Sequence, residues 1–121
     1  MKTDIVENGK YAGRINLVKY QGQTVPHLEF EIEPEFRNKG LMSRFLPKYL
    51  AKCKKVGIFR LMALVKHGNV ASERVLEKCK FIKFANLEST SAWIIAIDLN
   101  DAVSKFGKSI LKNLGHEKGL H

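Results

Sequence analysis

The chain has 121 residues, 45% of them hydrophobic and 27% charged, a composition typical of one soluble globular domain. No apolar run approaches the roughly 18 residues that span a bilayer, and no apolar stretch follows residues 1–4 as in a signal peptide. The formal net charge of +9 favours polyanionic partners, such as nucleic acid, an acidic protein surface or phosphate groups. Charge alone does not choose among these partners.

The cysteines, histidines and aromatic residues argue against several kinds of site. Cys53 and Cys79 lie on separate predicted helices without Cys-x-x-Cys spacing, so we interpret them as core residues in a reducing compartment, the cytoplasm. The four histidines show no metal-ligand spacing, and we predict that the protein holds no metal. Most aromatic residues fall within apolar runs, so no nucleic-acid motif supports the basic charge.

The N-terminal third is predicted to be an antiparallel meander. Strands over 4–7 and 10–20 flank Asn8-Gly9, a strong hairpin signal because both turn residues tolerate positive φ. A third strand, over 24–33, alternates two kinds of side chain. Apolar residues point one way and carboxylates the other: Leu28, Phe30 and Ile32 against Glu29, Glu31 and Glu33.

A short basic turn over 34–40 leads from this strand into an amphipathic helix over 41–55. Pro34 and Gly40 bracket the turn, and Pro47 is expected to kink the helix on its exposed side. A helix N-terminus carries unpaired N–H groups and about half a positive charge. With Arg37 and Lys39 beside it, this turn suits a pyrophosphate.

The remaining elements follow in strand–helix–strand order. A buried strand over 59–66 predicts parallel pairing with a right-handed crossover. Asn69 is the expected N-cap of a helix over 70–79, whose inward residues are Val70, Val75, Leu76 and Cys79. Strands over 81–84 and 91–99 come next, and a last amphipathic helix is predicted from residue 100 or 101.

Two segments resemble the GNAT N-acetyltransferases. The first is Pro34-Glu35-Phe36-Arg37 followed by Asn38-Lys39-Gly40. It is similar to the family's acyl-CoA-binding segment, Arg/Gln-x-x-Gly-x-Gly/Ala. Met42 stands where the family has its last small residue. The second, over 69–81, resembles the Asn-x-x-Ser-x-x-x-x-Glu-Lys-x-Gly-Phe element of the branch that includes ribosomal-protein alanine acetyltransferases. Lys80 replaces its Gly. The segments stand in the family's order, and the resemblance covers about residues 11–99.

The resemblance implies a single α/β domain with the GNAT fold, a mixed and mostly antiparallel sheet with flanking helices and a C-terminal helix. Its parts are the meander over 1–36, an acyl-CoA-binding core over 37–99, and the helix and tail over 100–121. GNAT chains usually begin with a strand and two helices that wall the acceptor site. Here that wall is expected to be missing, or to be replaced by the C-terminal helix or by a partner subunit, which leaves a homodimer open.

The implied activity is acetyl transfer from acetyl-CoA to an amine by direct attack in a ternary complex. By family position, Ile32 contacts the thioester arm and Asn69 the pantetheine, while the phosphates lie on Arg37, Asn38, Lys39, Gly40, Leu41 and Met42. The resemblance also implies a bulge of the third strand near Glu31 and Ile32. Glu31 is the candidate base, beside Glu29 and Glu33. Ser72 is the candidate for protonating or orienting the thiolate, because the tyrosine that many GNAT enzymes use would fall at Leu76.

Two alternatives stay open. One is a GNAT fold that has lost turnover and acts as a binding or structural module, for example in a virion. The other is a nucleic-acid-binding or ribosome-associated protein that uses the +9 charge. Taken without the family, the basic turn is an ordinary strand–helix connection, Asn69 an ordinary N-cap and the glutamates a solvated strand face.

Overall fold

The computed structural model describes residues 1–97, which form six strands, two α-helices and one short 3-10 turn. In chain order these are β1 Thr3–Glu7, β2 Lys10–Val18, β3 His27–Ile32, the 3-10 turn Pro34–Phe36, α1 Leu41–Lys55, β4 Arg60–Lys66, α2 Val70–Lys78, β5 Ile82–Asn86 and β6 Thr90–Ala96. The helix predicted from residue 100 lies outside the described residues.

Within residues 1–97 the strands form one sheet in the order β1-β2-β3-β4-β6-β5. β3 and β4 pair in parallel, and the other neighbours pair antiparallel. The mixed, mostly antiparallel sheet is therefore confirmed, as is the parallel pair joined through α1.

The first hairpin turns where the sequence indicates, with φ of 52° at Asn8 and 78° at Gly9. The bulge expected near Glu31 and Ile32 is elsewhere, because β2 and β3 keep one register from Val18↔His27 to Gly13↔Ile32. Ile5 pairs with Gly13 while Val6 pairs with Tyr11, so Ala12 is the extra residue, on β2.

Both helices pack their apolar sides against one face of the sheet. One core of buried residues draws on β1, β2, β3, α1, β4, α2 and β6. Its members include Ile5, Ile15, Leu28, Leu46, Tyr49, Leu61, Leu76, Trp93 and Ile95. The helix α1 runs unbroken through the exposed Pro47. No helix among the described residues is long and apolar enough to cross a membrane.

One predicted core position is wrong. Val70 is 51% exposed, whereas Leu76, two turns later in α2, is fully buried. Val70 is the first residue of α2, four residues past the end of β4, whereas Leu76 lies within the helix and packs in the core.

Candidate functional site

The parallel strands β3 and β4 meet only at their amino ends. Their register pairing consists of His27↔Met62, supported by the Met62 N–H, which donates to the Pro26 carbonyl oxygen at 3.0 Å. Beyond that point the two strands have no pairing with each other, although β2 and β6 still pair with their outer edges. Separated strands leave backbone N–H and C=O groups that an extended ligand can satisfy. We call this gap the β3–β4 opening.

The N-terminus of α1 lies at the wide end of the opening and has no side-chain cap. Gly40 is its N-cap residue, at φ 70°, and the Arg44 N–H makes the first intrahelical bond to the Gly40 carbonyl, at 3.2 Å. The N–H groups that precede it have no intrahelical partner, and the first turn contains no acidic residue. Free helix ends of this kind favour anions.

The side chains of Leu41 and Met42, 3% and 5% exposed, belong to the core. Neither side chain is therefore available to a phosphate. Among the residues predicted to hold phosphate, these two have only backbone N–H groups to offer.

The turn before α1 is stabilised by a buried aromatic ring and by a side-chain hydrogen bond. Phe36 is buried and anchors the turn, and the Nζ of Lys39 lies 5.4 Å from the centroid of its ring. The Nε of Arg37 donates to the Ile32 carbonyl at 3.0 Å, and Asn38 adopts a φ of 63°. A Cβ added at Gly40 would meet nothing within 4 Å, so open space lies against the backbone there. The turn is a preformed concavity with positive charge at its rim.

The N-terminus of α2 begins after β4, at the same edge of the sheet as that of α1, because β3 and β4 run parallel. The side-chain oxygen of Asn69 accepts from the Ser72 N–H at 3.2 Å, so Asn69 caps α2 as predicted. Ser72 is half-buried. Leu76 is fully buried in the core, so the position of the family's tyrosine has a packing role in this chain.

Glu31 is exposed on the sheet face opposite the helices, with its carboxylate 4.0 Å from the Nη2 of Arg14. The fold thus places the predicted residues of β3, of the α1 turn and of the α2 N-terminus around one opening. The chemical roles of Glu31 and Ser72 stay predictions.

Gly13 was missed by the sequence reasoning. A Cβ at this position would lie 2.2 Å from the Glu31 carbonyl oxygen, so glycine lets β2 and the end of β3 approach closely. A glycine inside a strand pattern is the signal that could have indicated it.

A buried polar network was also missed. The Nε1 of Trp93 donates to the Ser91 hydroxyl at 2.8 Å, and that hydroxyl donates to the Glu73 carboxylate at 3.2 Å. The Nζ of Lys83 lies 3.7 Å from the same carboxylate. This network fixes the first turn of α2 against β6.

The environment of both cysteines favours the thiol over the nucleophilic thiolate. Both are free thiols, and burial raises the pKa of Cys53 and of Cys79 above the ordinary value. Within residues 1–97, no three His, Cys, Asp or Glu side chains gather as a set of metal ligands.

Solved structures with the same fold include several acetyltransferases. A GNAT-family acetyltransferase from Streptococcus pneumoniae is 25% identical, with a TM-score of 0.65 over 76% of this chain and 63% of that one. The ribosomal-protein-S5-alanine acetyltransferase of Vibrio fischeri is 19% identical, with a TM-score of 0.63 over 74% and 56%. YncA of Salmonella typhimurium, solved with acetyl-CoA, is 16% identical, with a TM-score of 0.66 over 75% and 61%.

This chain therefore spans less than two thirds of the length of these three proteins. No curated protein sequence matches it significantly. The sequence model of the GNAT acetyltransferase domain family matches residues 3–82, about two thirds of the chain. The matched range includes all the residues predicted to bind acetyl-CoA or to take part in catalysis. The chain belongs to the GNAT acetyltransferase family.

Proposed function

We propose that this protein transfers an acetyl group from acetyl-CoA to an amine. The observation that carries the proposal is the uncapped N-terminus of α1 beside the β3–β4 opening. A helix end without a cap or an acidic residue binds phosphate, and parted strands provide backbone groups for a pantetheine arm. Both features lie in the region that the family model matches.

The chain offers binding groups along the whole length of acetyl-CoA. Backbone N–H groups of Gly40, Leu41 and Met42, with the side chains of Arg37 and Lys39, would hold the pyrophosphate. Asn38, which already adopts positive φ, adds its own N–H to that concavity. Ile32 would bind the thioester arm on the β3 side, and Asn69 and Ser72 would face the pantetheine from α2.

The proposed reaction is direct attack in a ternary complex. The amine nitrogen forms a bond to the acetyl carbon, the carbon–sulfur bond breaks, the amine loses one proton and the thiolate gains one. Holding both reactants in one opening supplies much of the rate, because it removes the entropy cost of bringing them together.

The proton that leaves the amine decides how strong a base is needed. Deprotonating a lysine ε-amine at pH 7 costs about 4.6 kcal/mol, whereas an α-amine costs only about 1 kcal/mol. Glu31 is the proposed base, and its carboxylate lies 4.0 Å from the Nη2 of Arg14 on the sheet face opposite the helices. A weak, exposed carboxylate suits an α-amine better than a lysine. The name of the Vibrio fischeri structure, an alanine acetyltransferase, agrees with that preference.

Ser72 is the proposed proton donor to the thiolate, since Leu76 offers none. We place the reaction in the reducing cytoplasm because both cysteines are free. Leu76 also favours a second candidate, a module that binds acetyl-CoA without turning it over.

Calorimetric titration with acetyl-CoA tests the binding half of the proposal. The wild type should bind, and Gly40→Glu should weaken binding by more than about tenfold because it adds a carboxylate at the anion site. Gly22→Glu is the matched control, since Gly22 also has positive φ and open space around it but lies in the β2–β3 turn. A folded wild type that binds no acetyl-CoA would refute the proposal.

Release of the CoA thiol in the presence of amines tests the transfer half. Ser72→Ala and Glu31→Gln should each lower kcat by about 100-fold if they act as acid and base. Tight acetyl-CoA binding without transfer to α-amines or alkylamines would establish the binding module instead.

A further inference from the structure

A groove of about 360 Å³ lies between α1 and the end of α2. Its floor includes Ile95 and Ile97, which are 4% and 8% exposed. Its walls carry further apolar side chains from α1 and from the residue after α2: Pro47, Leu50, Ala51 and Cys79. Three basic residues complete the lining: Lys54, Lys78 and Lys80. We call this apolar surface with basic sides the α1–α2 groove.

The last residue that the structure describes, Ile97, belongs to this groove. Its backbone N–H donates to the Phe59 carbonyl oxygen at 2.8 Å, which fixes the end of β6 beside the start of β4. Its side chain joins the core on the sheet face that carries both helices. Residue 98 therefore follows directly from the groove, on the helical side of the sheet.

The sequence that follows Ile97 matches the groove in polarity and in charge. Apolar residues recur at the spacing of one helix side: Ala102, Val103, Phe106, Ile110, Leu111 and Leu114. Two carboxylates, those of Asp98 and Asp101, precede these residues and are opposite in charge to the lysines of the groove. An amphipathic helix needs an apolar surface on which to bury its apolar side.

We propose that residues 98–114 dock in the α1–α2 groove of their own chain. The apolar side with Phe106 packs on Ile95 and Ile97, and Asp98 and Asp101 lie near the lysines. A helix over 101–114 is about 21 Å long, enough to cover the part of α1 that lines the groove. Because the segment starts at the groove, its local concentration there favours docking within one chain over docking on a second copy.

This placement separates the segment from the proposed acceptor side. Glu31 is exposed on the sheet face opposite the helices, so a segment in the α1–α2 groove does not wall that face. The segment instead packs against α1 and α2, whose N-termini lie at the wide end of the β3–β4 opening. The docking itself does not depend on acetyl transfer.

Thiol labelling of the full-length protein tests the docking, because Cys79 lines the groove and Cys53 is fully buried elsewhere in the core. Iodoacetamide modification, analysed by peptide mass spectrometry, measures the two thiols separately. Phe106→Asp should raise the labelling rate of Cys79 about tenfold and leave that of Cys53 unchanged, since a carboxylate is not buried on an apolar floor. Ser104→Asp, the matched control, adds the same charge outside the apolar positions and should change neither rate.

The charge match is tested on the same thiol. Replacing Asp98 and Asp101 together by Asn should raise the labelling rate of Cys79 about threefold, and added salt should raise it in the wild type. Equal labelling of Cys79 in the wild type, in Phe106→Asp and in Ser104→Asp would overturn the proposal. Protection of Cys79 that increases with protein concentration would also overturn it, because the segment would then occupy the groove of a second copy.

NMR of the wild type provides a test that needs no variant to fold. NOEs from the Phe106 ring to the methyl groups of Leu50 and Ala51 are expected. Leu64 alternates along β4 with the buried Ala63 and Val65, is 47% exposed and lies on the opposite sheet face. NOEs from the Phe106 ring to Leu64 in place of those to Leu50 and Ala51 would refute docking in the groove.

Discussion

The two edges of β4 behave in opposite ways. On one edge, β4 pairs with β6 over its whole length, from Arg60↔Ala96 to Lys66↔Thr90. On the other, it pairs with β3 at a single position and then separates. The seven residues of β4 thus form a complete antiparallel ladder on one side and border the β3–β4 opening on the other.

We infer from this difference that the paired edge of β4 mainly stabilises the fold and that the parted edge is available for a ligand. The paired edge surrounds Trp93 and Ile95, which are almost fully buried. The parted edge gives up hydrogen bonds, and two helix N-termini lie at its wide end. Strands that separate leave groups for a ligand only if the rest of the sheet holds them apart. We therefore expect changes on the paired edge to reduce stability, and changes near the opening to reduce binding as well.

The largest expected loss of stability follows Trp93→Ala on the paired edge. Trp93 is 2% exposed, and its removal leaves a cavity in the core on the sheet face that carries α2. The free energy of unfolding should fall by about 3–5 kcal/mol, measured by urea denaturation. A loss below about 1 kcal/mol would mean that the paired edge does not hold the fold.

A smaller loss, with a specific effect on the opening, is expected for Gly13→Ala. The new Cβ would lie 2.2 Å from the Glu31 carbonyl oxygen, so the end of β3 must move away from β2. We expect a loss of about 1–3 kcal/mol in stability and a weaker affinity for acetyl-CoA, measured by denaturation and calorimetry.

Gly22→Ala is the control for this variant, because it introduces strain at φ +81° with no steric contact and far from α1. It should cost about 1 kcal/mol and leave the affinity for acetyl-CoA unchanged. If both variants change the affinity alike, the position of β3 does not govern the opening.

Much of the fold could be predicted from local signals. Asn8-Gly9 determines the hairpin, and the apolar periodicity after Gly40 locates α1 at Leu41–Lys55. These signals operate over a few residues, through φ preferences and side-chain spacing. The free helix end at Gly40 also followed from local signals, because the start of a helix depends on nearby residues. That this end binds an anion stays a prediction.

The parts that could not be predicted depend on residues far apart in the chain. The bulge lies at Ala12 instead of near Glu31, because the pairing of β1 with β2 decides it. Val70 is exposed at the first position of α2, whereas Leu76 in the same helix packs in the core. The unpartnered Nε2 of His27 depends on what surrounds it in three dimensions. Sequence periodicity does not indicate contacts between residues that lie far apart in the chain.

The smallest expected effect is that of Ser91→Ala, which removes one hydroxyl from the paired edge. The Trp93 Nε1 would lose its acceptor and the Glu73 carboxylate one donor, although Lys83 would remain 3.7 Å from that carboxylate. An unsatisfied buried N–H costs about 1–3 kcal/mol, and we expect the lower half of this range because the alanine removes no carbon packing. Ser89→Ala, in the exposed turn before β6, is the control and should change stability by less than about 0.5 kcal/mol. Because the network fixes the first turn of α2, Ser91→Ala should also raise amide exchange at Ser72 and Glu73, measured by NMR. Equal exchange in both variants would show that packing alone holds α2 beside the opening.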